Sequence, residues 1–416
     1  YGATGQSNSN NVGIGKDALL SIRTGSENVI VGQLAGDAIT DGVSNTGIGK
    51  GALGTTASGT SMVGVGQGAI GGGNTTAAAI GTVAIGMDSL YLLTSGIGNV
   101  AIGYQSLDAE TIGDYSTAVG HQALSAQAGI DGEVGNTAVG YQSGVALTTG
   151  KYNTAIGYAS LFTDDVGQGS TAIGRDALHN QNIASTALTG NTGLGHQSGY
   201  YNVTGTNNTY LGHKAGMGVS AKSHSGCVFI GANAGRYAYT GDNNIAIGHG
   251  AMDDVDADAT VGASAENMFI GTDAGGGTWL TAASTRNVGI GNYVMDAAMN
   301  DADNNTAMGY SALGALTTGD GNVAIGRDAG NDITSGGNNV MIGHFAGDKS
   351  TDVDSAVIIG ANAGGAVMTG SGGADGTTAI GTESLAALTS GAGNVAVGYE
   401  SCAAMTSNTG NTALGY

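Results

Sequence analysis

Proline is missing from all 416 residues, and glycine accounts for 80 of them. Collagen also needs proline, with glycine strictly at every third position, so that much glycine has to mean something else. Basic residues are scarce: 11 lysines and arginines face 32 acids, for a net charge of −21. That leaves no basic footprint for nucleic acid and favours a well-solvated surface that resists anionic partners. Aromatics make up 5% and there is one tryptophan, Trp279. A thin core, one side chain wide, is expected in place of a large globular one. The two cysteines, Cys227 and Cys402, are too few for a disulfide or metal-binding framework. No stretch of 18 apolar residues occurs, so no membrane insertion is expected.

What is present is one phrase, repeated. Asn99-Val100-Ala101-Ile102-Gly103-Tyr104-Gln105-Ser106-Leu107 has relatives from Asn11-Val12-Gly13-Ile14-Gly15 to Asn411-Thr412-Ala413-Leu414-Gly415. Aligned on the glycine after the aliphatic residue, there are 23 copies, and 14 of the 22 intervals are 17 residues. The other intervals are longer, never shorter, as when loops bulge from a fixed frame. The expected fold is an all-β parallel β-solenoid, or β-roll, of about 23 coils. The whole of 1–416 is read as one continuous repeat array, a segment of a longer fibre.

With the glycine numbered position 5, position 2 is β-branched in every copy except Met268, and position 4 is always aliphatic. Residues two apart share a face of a strand. On the reading that β-branched residues fill the interior, Val100, Ile102, Ile156 and Ile325 form the core, with Gly103, Gly157 and Gly326 turning the corners. Position 3 then points outward. It is mostly Ala or Gly, as in Ala101, Ala118 and Ala155, with larger exceptions such as Phe229 and Phe269. Small residues there predict a close backbone neighbour, another subunit. Position 1 is Asn in 16 copies, suited to Asx-turns and a hydrogen-bonded ladder between coils. A second glycine recurs at position 15, such as Gly25, Gly150 and Gly319, and marks a second corner. Between the corners, runs like 311–319 fit either an irregular strand or a short helical turn with a glycine cap. The long intervals place loops at 71–79, 126–134, 179–189, 252–266, 276–284, 295–303 and 365–376, where local binding functions usually reside.

The phrase Asn-(Val/Thr)-Ala-Ile-Gly resembles the head repeat of YadA-type trimeric autotransporter adhesins. Its longer form, as in 153–161, is similar to repeats in fibre proteins of tailed phages. The resemblance covers nearly the whole chain, although the adhesin-head period is shorter than 17. It implies a left-handed roll, a homotrimer, and a surface fibre or adhesin without catalytic residues.

No catalytic constellation emerges. Gly15-Lys16, Gly49-Lys50 and Gly150-Lys151 lack the Ser or Thr of a phosphate loop. Position 6 gathers Tyr104, His121, Tyr141, Tyr158, His196 and His213, a candidate surface-binding column that would stack on sugars or contribute metal ligands. Asp254, Asp256 and Asp258 begin like a calcium loop, but Ala259 replaces the turn glycine and Glu266 falls one place late. Calcium at these aspartates is the one specific cofactor weighed, and a solvated acidic loop is the expected reading; no cofactor is expected. The expected role is a non-enzymatic, extracellular or virion-surface fibre that attaches to a cell-surface glycan or protein receptor, most like a phage tail-fibre shaft. The alternative is a bacterial trimeric adhesin head. A solenoid polysaccharide-degrading enzyme and an ice-binding face rank below both, the latter because position 2 is read as inward.

Overall fold

The computed structural model describes residues 9–186, 188–238, 240–254, 264–279, 282–368 and 374–416. The chain divides into two compact units, Tyr1–Asn207 and Asn208–Tyr416. Each is a parallel β-solenoid in which every repeat contributes one three-residue strand. The first unit holds eleven such strands, from Val12–Ile14 to Thr192–Leu194, and the second twelve, from Thr209–Leu211 to Thr412–Leu414. Successive strands pair parallel and in register. Val100, Ala101 and Ile102 lie beside Thr117, Ala118 and Val119 in the first unit, and Val323, Ala324 and Ile325 beside Val340, Met341 and Ile342 in the second. Where an interval is long, register survives: Thr117–Val119 still pairs residue for residue with Thr137–Val139. In the first unit the bulge between them adds a short second pairing, Gly113–Asp114 with Gly132–Glu133.

The inside and outside of the strand are the reverse of the sequence reading. The middle residue, position 3, is buried in every coil but the first and last, and no residue at position 2 or 4 is buried. Ala101, Ala118, Phe229 and Phe269 are fully buried within their own chain, and Ala155 is 1% exposed, so none of them faces a second subunit. Ile102 is 37% and Ile325 39% exposed, while Val100 and Ile156 are partly exposed; these four are not core.

The physical reason lies across the coil. Position 9 faces position 3, and the gap between them holds one large side chain. Where position 3 is Ile30, Tyr210, Phe229, Phe269, Met341 or Ile358, position 9 is Gly36, Gly216, Gly235, Gly275, Gly347 or Gly364. A Cβ on Gly235 would come 2.5 Å from the Phe229 ring. Where position 9 is large, as in Leu107 or Leu178, position 3 is Ala101 or Ala172, and all four are buried. In coils where both are small, neighbouring rungs fill the space: a Cβ on Gly330, opposite Ala324, would meet Leu313 of the preceding rung at 3.0 Å and Met341 of the next at 2.7 Å. This interlocking gives a close-packed interior one residue thick.

The buried asparagines form the expected ladder. The backbone N–H of Asn153 donates to Oδ1 of Asn136 at 2.8 Å, and Nδ2 of Asn153 donates to the Gly167 carbonyl, also at 2.8 Å. Each side chain thereby pairs backbone groups that burial would otherwise leave unsatisfied. The two glycine corners differ in kind. Position-5 glycines all have φ between +117° and +146°, open only to glycine. Position-15 glycines mostly have ordinary φ but no room, since a Cβ on Gly25 would sit 2.5 Å from the Gly42 carbonyl oxygen.

The return side is neither of the two alternatives. Among the described residues there is no helix; positions 6 to 11 form successive turns. Positions 7 and 9 are left-handed, as in Gln105 and Leu107, both at φ 49°. Residues in that region cannot belong to a right-handed helical turn.

In the first unit, two buried carboxylates precede lengthened coils. Glu110 takes the place of an apolar position-12 residue; its Oε1 accepts N–H groups of Thr111, Ile112 and Gly113 at 2.7 to 3.0 Å, and Oε2 accepts Gln127 Nε2 at 2.7 Å. Asp164 repeats the arrangement with Gly167 and Gln181. An elongated next coil displaces the corner, and the carboxylate supplies acceptors for the displaced donors.

Candidate functional site

Position 6 is built by the same stacking that builds the sheet. In the first unit Tyr104, His121, Tyr141 and Tyr158 form one ladder, with ring centroids 5.0, 5.2 and 5.1 Å apart and interplanar angles of 30°, 21° and 11°. The Arg175 guanidinium closes it, 5.8 Å from the Tyr158 centroid. The ring faces are therefore spent on one another. Solvent meets ring edges, phenol hydroxyls and imidazole nitrogens, so this column is not a platform on which sugars stack face to face. Beside it runs an amide ladder absent from the sequence reading: Gln122 Nε2 donates to Gln105 Oε1 at 3.2 Å, and Gln142 Nε2 to Gln122 Oε1 at 2.9 Å. A second aromatic ladder, also not anticipated, stacks Phe162, His179 and Tyr200 at position 10, with centroids 4.8 and 4.9 Å apart. Both ladders were detectable as side chains recurring at one repeat position across consecutive coils. His196 belongs to the first unit and His213 to the second.

The calcium candidates are split. Asp254 is described, and its Oδ2 accepts the Thr278 hydroxyl at 2.6 Å. Asp256 and Asp258 lie outside the described residues. Among the described residues, no group of three His, Cys, Asp or Glu side chains is arranged to hold a metal. Cys227 and Cys402 are both free thiols. Burial pushes the Cys227 thiol up to about 12, which makes it inert. No helix among the described residues is long and apolar enough to cross a membrane.

In the second unit, Asp296 shares a partly enclosed edge with Asp273 and Asp253. Loss of hydration, then the charges of those two neighbours, raise its pKa to about 6. A carboxyl raised in the folded state binds its proton there before it does so in the unfolded chain. Folding therefore gains stability as pH falls through about 6, completing the gain near the ordinary value of 3.8. The melting temperature of the second unit is expected to rise between pH 7.5 and pH 5. Asp296→Asn is expected to raise it at pH 7.5 and to flatten the profile. A melting curve of the variant that retained the full pH dependence would contradict this assignment.

The outward strand face runs the length of each unit. Positions 2 and 4 form two rows of Val, Thr, Ile and Leu along each unit, broken only by Met268 and Met308, with no charged residue in either row. In the first unit Thr117, Thr137, Thr154, Thr171 and Thr192 follow one another at position 2, paired in register. Comparison with protein-family models and with characterised proteins finds no match.

Proposed function

We propose that this chain is a non-enzymatic segment of a trimeric fibre, displayed outside the cell or on a virion, which mediates attachment to a host or other surface. A role like that of a phage tail-fibre shaft is the favoured reading, and a bacterial adhesin head the alternative. The observation that carries the reading is the exposed aliphatic ribbon. A chain with 32 acidic residues keeps every one of them off positions 2 and 4. Contiguous apolar surface of this kind marks an interface in soluble proteins. A flat, regular strand face suits a second and third copy of itself, because identical rungs match rung for rung. The repeat's likeness to trimeric adhesin heads supports the same stoichiometry, and a rigid array of turns on the return side leaves room for display of loops.

Mass measurement in solution tests this. The full chain at micromolar concentration is expected to have three times its 40.3 kDa mass. The double variant Ile102→Lys, Ile156→Lys is expected to shift the population to monomer, since charge placed in a desolvated apolar contact is costly. A monomeric wild-type chain would remove the trimer.

A second reading rests on the five-threonine run. Outward threonines at strand spacing, about 4.8 Å apart along the stack, with aliphatic neighbours, form a flat hydroxyl-and-methyl lattice suited to ordered water. Thermal hysteresis lost in Thr154→Lys would favour ice binding over self-association; its absence in the wild-type chain ends that reading.

A further inference from the structure

One corner of the first unit carries two aromatic rings, each with an open side. They stand at position 17, the residue before each position 1. Elsewhere that position holds only Gly, Asn, Ser, Glu or Arg286; here it holds Tyr115 and Tyr152. The coils between and beside them have glycine, so the column reads Gly98, Tyr115, Gly135, Tyr152, Gly169. Backbone bonds stack these rungs: Tyr115 N–H donates to the Ile97 carbonyl at 2.9 Å, Tyr152 N–H to the Val134 carbonyl at 2.9 Å, and Gly169 N–H to the Lys151 carbonyl at 3.0 Å. The short pairing of Gly113–Asp114 with Gly132–Glu133 fixes the same corner. The two tyrosines are therefore two rungs apart, about 9.6 Å at about 4.8 Å per rung.

Each ring leans back over the rung before it. A Cβ on Gly98 would meet the Tyr115 ring at 3.0 and 3.2 Å, and one on Gly135 would meet the Tyr152 ring at 3.2 and 3.5 Å. The side toward the next rung is open. Only Tyr152 lies within 4 Å of a Cβ on Gly135, so Tyr115 does not reach it, and a Cβ on Gly169 would meet Leu188 alone. Tyr115 is 57% and Tyr152 50% exposed. Among the described residues neither ring lies against another ring or a guanidinium, whereas Tyr141 is stacked on both sides. Leu188, 73% exposed, lies over Gly169 in the same way, at 3.3 Å, and extends the apolar row by two more rungs. Beside the rings stand Asp114, Glu133 and Lys151, two acceptors and one donor.

We propose that this corner binds a neutral, linear β-1,4-linked glycan lying along the stack of rungs. In such a chain each pyranose is turned over relative to the one before, so every second sugar offers the same C–H face. Its disaccharide repeat is close to the spacing of two rungs. Tyr115 and Tyr152 each take one of those faces, the electron-rich side of the ring meeting C–H groups. Hydroxyls along the edge of the glycan donate to Asp114 and Glu133 and accept from Lys151. A polyproline helix has a turn of similar length, about 9.3 Å. It is three-sided, however, and rings that lean along the rungs over glycine make a flat strip, which suits a flat ribbon. The net charge of −21 and the two carboxylates beside the rings oppose a polyanionic glycan. This assignment rests on the attachment reading above and names the class of receptor.

The test titrates the full chain with cello- and chito-oligosaccharides of two to six sugars, with malto-oligosaccharides, which are α-linked and curl, as the control. A tetrasaccharide, long enough to reach both rings, is expected to bind at least tenfold more tightly than a disaccharide. Tyr115→Ala and Tyr152→Ala are each expected to weaken tetrasaccharide binding at least tenfold, and Tyr152→Phe, which keeps the ring, less than threefold. Tyr141→Ala, in the self-stacked ladder, is expected to leave it unchanged. Both rings are exposed, so the variants should melt as the wild type does. Absence of binding to either β-linked series overturns the proposal, as does equal binding of the α-linked series or binding that survives Tyr115→Ala and Tyr152→Ala. So does binding of a proline-rich peptide in place of the glycans. Conversion of a trimer to monomer by Tyr115→Ala or Tyr152→Ala also overturns it, because the rings would then be subunit contacts. A trimer that binds no glycan removes only this site, whereas a glycan-binding monomer removes only the fibre assembly.

Discussion

Replacing Gly140 by alanine is expected to open the first unit locally around its coil, while the same change at Gly81 is nearly tolerated. Gly140 has φ +135°, and a Cβ there would lie 2.5 Å from the carbonyl oxygen of Gly157 in the next rung. The backbone strain costs about 1–3 kcal/mol, and forcing the rungs apart adds about 1–3 kcal/mol. Gly81, at position 17, has φ +64° with nothing within 4 Å. Ser44 and Tyr115 occupy the same position at φ 60° and 61°, so alanine at Gly81 should cost only about 1 kcal/mol. Because stacked repeats need not unfold as one unit, hydrogen exchange is the appropriate measurement. Amides of the coils flanking Gly140 should lose protection in Gly140→Ala while those near Ser9 do not. Equal effects of the two substitutions would mean that the rungs are not held so closely at the position-5 corner.

Phe229→Ala is expected to destabilise the second unit by about 3–5 kcal/mol, the usual cost of emptying a buried aromatic site. Gly235→Leu alone should also destabilise, because its Cβ would collide with that ring. Together they convert the coil to the Ala-and-Leu form already present at Ala101 and Leu107, so the double variant should recover a coupling of about 2 kcal/mol. Denaturant melts of the four proteins measure this. Additive losses would show that positions 3 and 9 do not share one cavity. The same cycle checks the interior assignment, since a Phe229 turned toward a second subunit would be indifferent to Gly235.

Much of the architecture was legible in the residues. The glycine period set the rung, intervals longer than 17 set the bulges, and the asparagine column at position 1 set the inter-coil ladder. The volume exchange between positions 3 and 9 was equally present, with glycine at position 9 wherever position 3 is large. It is a correlation between two positions, invisible in the composition of either one. The return side was illegible for a different reason. Leu, Gln, Lys and Phe all occupy left-handed φ at positions 7 and 9, where local preference favours glycine or asparagine. Inter-coil hydrogen bonds such as Leu107 N–H to the Ala123 carbonyl, at 3.0 Å, hold them there.

Sequence alone determined that residues 100 and 102 share one side of a strand and 101 the other, that equivalent residues lie rung upon rung, and where the chain turns. It did not determine which side is inside. Alternation defines two faces and is silent on their sign. That sign is decided only when the coil closes and brings position 9 opposite position 3, at a separation that admits one large side chain. Positions 2 and 4 point away from that gap, so their residues are left partly or fully exposed in two rows along each unit, while a branched residue such as Ile30 or Ile358 is buried when it stands at position 3.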